Sequence, residues 1–301
     1  MRKIEIRLSA LRYIKSKIKY KLFKLITKKS MGVFLCGNDI ISLAPQIEGL
    51  HEEFLTKFIN KTASTDGSDF FIDIGANIGL TSCQNGNKFK KVVCFEPNPL
   101  AANILKTNLS ICLNQNNFEV FEFALGDTDG EFELYIPKHN WGGAFVKDNN
   151  DYSDVTLSKK DGFDEFDTNN YHVKKVEVKK TVDVLDRLFS SLSAEGFKKG
   201  VIKIDVEGFE RKILLSIAEK LPKEFDTVIV FENWDECFNI DEIRKAFSSR
   251  KLEISTISRS IKRNERKIIR MIKFLIFGQN TNISVYAKHN TSIGDLILTI
   301  K

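Results

Sequence analysis

Residues 70–79 read Phe-Phe-Ile-Asp-Ile-Gly-Ala-Asn-Ile-Gly, a short apolar run that closes on Asp73-x-Gly75-x-Asn77-x-Gly79. A second apolar run, Val92-Val93-Cys94-Phe95, ends in Glu96 about twenty residues further on. A strand, a glycine turn, a helix and a strand ending in an acid form the arrangement by which a Rossmann-like sheet holds a nucleoside. The turn glycines let backbone approach the ligand, and the acid accepts both ribose hydroxyls.

The glycine spacing is not the G-x-G-x-x-G of a dinucleotide site, where a pyrophosphate sits on the turn. Here an acid stands two residues before the first glycine. That suits a ligand with a charged amine beside the turn, as S-adenosylmethionine has. The same turn read alone is an ordinary strand-to-helix connection, and the acid at position 96 favours the nucleoside site.

Further apolar runs alternate with helical patterns along the chain. Ile47, Leu50, Phe54, Leu55, Phe58 and Ile59 give a helix over 46–60. Helices are expected over 78–87, 100–109 (after Pro97-Asn98-Pro99), 181–189 (capped by Thr181), from Gly208 to Lys220, and from Asp241. Strands are expected over 119–125, 201–205, 227–231, 252–257 and 282–287, the last two antiparallel. This alternation predicts an α/β, doubly wound sheet. Residues 128–180 are rich in Asp, Asn and Lys, with one hairpin at 131–136, and read as a substrate loop or lid inserted between core elements.

The resemblance rests on four pieces in order. They are Asp73-Ile-Gly-Ala-Asn-Ile-Gly79, Phe95-Glu-Pro-Asn-Pro99, Ala124-Leu-Gly-Asp127 and Lys203-Ile-Asp-Val-Glu-Gly-Phe-Glu210. Together they resemble the FkbM family of S-adenosylmethionine-dependent methyltransferases, over residues 70–235. The resemblance implies a class I methyltransferase, with a Rossmann-like, seven-stranded, mostly parallel sheet and helices on both faces. It also implies O-methyl transfer, often to a sugar hydroxyl. By position, Gly75, Asn77 and Gly79 line the methionine end of the cofactor, with Asp73 near its amine. Glu96 holds the ribose, and Asp127 or its backbone meets the adenine amine.

Acids at the carboxyl ends of strands four and five flank the cofactor in such a sheet. Asp205, Glu207 and Glu232 are therefore the candidate catalytic groups. Asp205, Glu232 and Asn233 also form an oxygen-rich set that could hold Mg²⁺, or else bind substrate hydroxyls directly. His139 and His172 could supply a base, and Trp141 and Tyr135 could stack on a sugar or pack the loop down. Lys203, at a buried strand end, suits a structural or a catalytic role.

Charge is uneven. Residues 1–30 hold eleven bases and one acid, +10, while the rest of the chain is net −4. Ile4, Leu8, Leu11, Ile14, Ile18, Leu22 and Leu25 follow steps of three and four through that segment. Residues 1–45 thus read as a basic amphipathic extension whose helix either lies on a membrane surface or packs on the domain at 46–301. The slightly acidic body argues against a nucleic-acid methyltransferase, as does the absence of an Asn/Asp-Pro-Pro-Tyr motif after strand four. A non-catalytic scaffold would have lost the cofactor motifs, which are intact. Cys36, Cys83, Cys94, Cys112 and Cys237 form no C-x-x-C pair and suggest a reducing compartment. No apolar stretch reaches the ~18–20 residues of a bilayer span. The expectation is a cytoplasmic enzyme with a sugar or glycan acceptor and a peripheral contact to the inner face of the membrane.

Overall fold

The computed structural model describes residues 5–8, 14–19, 21–22, 51–65, 69–113, 117–234, 238–260, 279–285 and 294–301. The start of the helix expected at 46–60, most of the basic extension and the basic-then-apolar stretch near 260–277 lie outside them.

The main sheet has nine strands. In chain order these are β1 (Glu5–Leu8), β2 (Phe70–Ile74), β3 (Lys91–Phe95), β4 (Phe118–Phe121), β9 (Lys199–Ile204), β10 (Asp226–Asn233), β11 (Leu252–Ser260), β12 (Gln279–Val285) and β13 (Gly294–Ile300). Their spatial order is β1-β12-β11-β13-β10-β9-β2-β3-β4. From β4 to β10 all neighbours are parallel, and β13 runs antiparallel between β10 and β11. These seven strands have the mostly parallel arrangement that the resemblance implies. β12 and β1 extend it beyond β11.

Helices cover both faces because side chains alternate along each strand. Phe70, Ile72, Ile74, Val93, Phe95, Ile202 and Ile204 face one core, completed by α5 (Thr181–Ala194), α6 (Glu210–Lys220) and α7 (Ile240–Ala246). Phe71, Val92, Cys94, Val201, Val228 and Val230 face the other, with α1 (Glu53–Thr65), α2 (Leu80–Asn85) and α3 (Pro99–Cys112). Pro99 opens α3 and the Asn98 side chain accepts from the Leu100 N–H at its start.

Several expectations are corrected. Residues 5–8 are a strand paired with β12, so Leu8 belongs to no helical stripe. The third strand is two: β4 ends at Phe121, and β5 (Ala124–Gly126) joins a second sheet. Residues 128–180 hold more regular structure than the one expected hairpin. They carry β6 (Gly130–Pro137), β7 (Phe145–Val146), β8 (Tyr171–Lys180) and α4 (Asp154–Lys160), and the second sheet runs β5-β8-β6-β7. Phe145, Tyr152, Leu157 and Tyr171 form a buried, mostly aromatic cluster beside it, with Tyr135, Phe163 and Phe166 packed around them. Thr181 does not cap α5. Its hydroxyl donates to the Gly126 carbonyl instead, tying the start of α5 to β5 of the second sheet.

Gly75 has φ +82°, and a Cβ there would lie 1.8 Å from the Asp205 carbonyl oxygen. Gly196 has a similar φ of +79° with open space around it. Gly196→Ala should therefore cost only the left-handed penalty, about 1 kcal/mol. Gly75→Ala adds a backbone collision and should cost at least ~2 kcal/mol, or abolish folding. Urea unfolding of the pair checks this, and equal losses would contradict it.

Candidate active site

The carboxyl ends of β2, β3, β9 and β10 meet around the glycine turn. The N–H groups of Gly75 and Ala76 both donate to the Phe95 carbonyl at 3.0 Å, which folds the turn over β3. Asn77 takes φ +49°, a conformation that Asn tolerates better than most residues. Its N–H donates to Glu96 Oε2 at 2.7 Å, and the Asn98 N–H donates to Oε1 at 2.8 Å. Glu96 is thus clamped in one rotamer, with a further acceptor site left on each oxygen. Burial pushes its carboxyl up to about 7, although these two N–H groups pull it down.

Above the turn is a cleft whose open space, counted out to the solvent, is about 660 Å³. Gly75, Asn77, Glu96, Pro97 and Asp205 line its polar side, and Phe95, Phe123, Leu125, Trp141, Phe145 and Phe209 are among the apolar walls. This shape fits a nucleoside: a carboxylate for a diol, a glycine turn for close approach and apolar walls for a purine. Asn77 Oδ1 is buried without a hydrogen-bond partner, an acceptor waiting for a donor in the cavity.

The other candidates fall in different places. Gly79 has φ +84° and packs on Leu105, so it shapes the turn. Asp73 is fully buried. Its Oδ2 accepts from Ser82 Oγ at 2.6 Å and its Oδ1 is 3.5 Å from Lys203 Nζ. Asp127 is exposed, pairs with Lys212 at 2.9 Å, and is not among the residues lining the cavity. Tyr135 stacks on Phe145 in the insertion's core, His139 lies edge-on to Phe163, and His172 is exposed on β8.

Of the three candidate acids, Asp205 alone is among the residues lining the cavity, and Glu207 and Glu232 lie behind that lining. Asp205 borders the cavity and pairs with Lys203 at 3.1 Å. Burial pushes the half-buried Glu232 up to about 8, and Asp205, Asp295 and Glu52 add to that rise. Glu207, at φ +59°, is pushed up by burial to about 8 while Lys160 opposes the rise. Lys160 Nζ lies 2.7 Å from Glu207 Oε1 and donates to the Gly143 carbonyl at 3.1 Å.

Sequence reasoning missed the residues that hold this loop. Glu210 accepts from the Val206 and Gly208 N–H groups, bracing the turn at the start of α6. Asn150 donates to the Val146 and Glu207 carbonyls and lies where a side chain at Gly208 would be. The Glu210 signal was a glutamate in the first turn of a helix. Lys160 and Asn150 lie far away in sequence and gave no local signal.

Among the described residues, no group of three or more His, Cys, Asp or Glu could hold a metal ion. Asp205 already carries the Lys203 ammonium, and Asn233 is only 1% exposed. The proposed Mg²⁺ set of Asp205, Glu232 and Asn233 does not fit a metal centre.

This sheet and its cavity define a class I S-adenosylmethionine-dependent methyltransferase. The methyltransferase FkbM domain matches residues 73–253, more than half of the chain, and the chain belongs to that family. Methyltransferase sdnD of Sordaria araneosa is 26% identical over 193 residues, covering 62% of this chain and 74% of that one. Among solved structures, an O-methyltransferase from Bacillus cereus in complex with SAH has a TM-score of 0.40 at 11% identity, covering 96% of this chain and 100% of that one. A SAM-dependent methyltransferase from Agrobacterium tumefaciens has a TM-score of 0.39 at 9% identity, covering 83% and 60%.

Two outcomes follow from the carboxyl groups. If Glu96 holds the ribose hydroxyls, it does so ionised, and cofactor affinity should rise with pH up to about 7 and then level off. Glu96→Ala should lose roughly 1.5–3 kcal/mol of binding and the inflection with it. Calorimetry across pH checks both, and an unchanged affinity removes Glu96 from the site.

Stability should run the other way. Glu96 and Glu210 titrate near 7, and Glu207 and Glu232 near 8, against an ordinary 4.5. Between those values the folded state holds more protons than the unfolded chain. Stability present below about 4.5 from these groups is therefore lost as pH rises through 7 to 8. Ligand-free Tm should fall across that window, and Glu232→Gln should reduce the slope.

Proposed function

We propose that this methyltransferase acts on a sugar hydroxyl of a glycan or glycolipid precursor. The observation that carries this reading is Glu232. It is a half-buried carboxyl at the end of β10, pushed up to about 8 beside Asp205 at the end of β9.

S-adenosylmethionine, when bound, supplies a methyl group already activated on a sulfonium. The chain's own residues then have two tasks. The first is alignment, since in-line placement of the hydroxyl can supply much of the rate. Asp205, partly exposed at the cavity, accepts from acceptor hydroxyls, and Trp141 on the opposite wall offers a flat apolar surface to a sugar ring. The second is proton removal. A sugar hydroxyl is a weak acid, and a base with a pKa near the working pH is the most effective. Glu232 accepts the hydroxyl proton as the O–CH₃ bond forms and the S–CH₃ bond breaks.

The test is methyl transfer to a panel of glycosides, with a short RNA as the rival acceptor. Glu232→Gln should lower kcat by roughly 10²–10⁴-fold with cofactor affinity retained. Transfer to RNA alone, or full activity in Glu232→Gln, overturns the reading. Turnover should also survive exhaustive EDTA, because Lys203 rather than a metal ion neutralises Asp205.

A further inference from the structure

Ile14, Ile18 and Leu22 are 40%, 54% and 52% exposed, and residues 14–19 and 21–22 are helical. At about 100° per residue, these three fall on one stripe about 80° wide. Lys15 and Lys19 flank it on one side and Lys17 and Lys21 on the other, and all four are exposed. Ser16 is 7% exposed and lies about 160° from the centre of the stripe. The segment turns a small polar residue inward and its large aliphatic residues outward. A helix packed on a soluble core does the reverse.

We propose that this face docks on the surface of an anionic lipid bilayer. The apolar stripe supplies a side that enters the acyl boundary. The flanking lysines lay their stems along it and carry their ammonium groups to lipid phosphates. The first thirty residues carry +10 and the rest of the chain −4, so the attraction is local to this segment and orients the enzyme with it downward. A second copy of the chain is a poorer occupant, because facing stripes would bring two rings of lysine together.

Sedimentation of the full chain with vesicles decides the matter. Phosphatidylcholine vesicles containing phosphatidylglycerol should carry the protein down, and pure phosphatidylcholine vesicles should not. Added salt should weaken the association. Ile14→Ser/Ile18→Ser/Leu22→Ser should lower the partition by roughly tenfold or more. Lys15→Gln/Lys19→Gln should lower it about 30-fold, at the worth of two surface lysines. All substitutions are at exposed positions, so unchanged Tm and cofactor affinity certify the fold. Full-length protein that stays in solution overturns the proposal, as does a triple variant that binds as the parent does. A dimer in vesicle-free sedimentation velocity that the triple variant converts to monomer assigns the stripe to a second copy instead.

Discussion

The ammonium of Lys203 organises the reacting end. It is held 3.5 Å from Asp73 and 3.1 Å from Asp205, with the lysine side chain only 8% exposed. Asp73 and Lys203 are register partners on adjacent parallel strands, and both point to the face covered by α1, α2 and α3. Such a pair adds little net stability, because each charge gives up its water. Its effect is on what else the site can hold. Without the lysine, a buried carboxylate and a partly exposed one would face each other with no cation between them. With it, Asp205 keeps a fixed position and a partner. Burial lowers the affinity of Lys203 for its proton, but Asp205 and Asp73 more than reverse this and the group stays charged. Asp73 is consumed in the same way. Its Oδ2 accepts from Ser82 and its Oδ1 lies 3.5 Å from the Lys203 ammonium, so it braces the framework under the glycine turn.

The inserted sheet has a related role on the other side of the cavity. It does not hover over the site as a detached lid. Asn150 fills the space left by Gly208, Asp151 N–H donates to the Gly208 carbonyl, and Lys160 neutralises Glu207. Arg211 on α6 reaches back to Asp151 at 3.1 Å. The loop after β9 is therefore gripped from below by the sheet and from above by the insertion. Trp141 and Phe145, which wall the cavity, come from the same insertion. Changes in the insertion thus alter the acceptor side of the site while the cofactor side stays with the sheet.

The parts of the fold legible in the sequence were those with local causes. Buried parallel strands show as apolar runs, and Asp73 to Gly79 and Glu96 show the turn and the ribose acid because spacing fixes them. What stayed hidden depends on distant partners. β13, Gly294–Ile300, has the apolar run of a buried strand, but only the gap between β10 and β11 makes it the inserted one. The insertion read as polar because its outward faces carry Lys and Glu. Leu134 and Ile136 on β6 and Val176 and Val178 on β8 alternate as buried strand residues, but most of its remaining core is scattered aromatic residues without a period. β1 lay inside a segment whose helical spacing was real further along, at Ile14, Ile18 and Leu22, but not at Leu8. Lys160 was invisible as a site residue because its partner Glu207 is far away in sequence.

The carboxyls around this cavity outnumber the two buried lysines, and several are held above their ordinary range by burial. An acidic, partly protonated site is strained toward neutrality and gains most from a cation. In the proposed reaction, a sulfonium bound near Glu232 would lower the cost of ionising that carboxyl, so binding the methyl donor would also prepare the base that the acceptor needs. Methyl transfer would remove that positive charge and leave the acceptor's proton on Glu232, the form that burial favours. On this reading the raised carboxyls serve one purpose across the cycle. They discriminate between donor and product by charge, within a framework fixed by Lys203 below and Lys160 above.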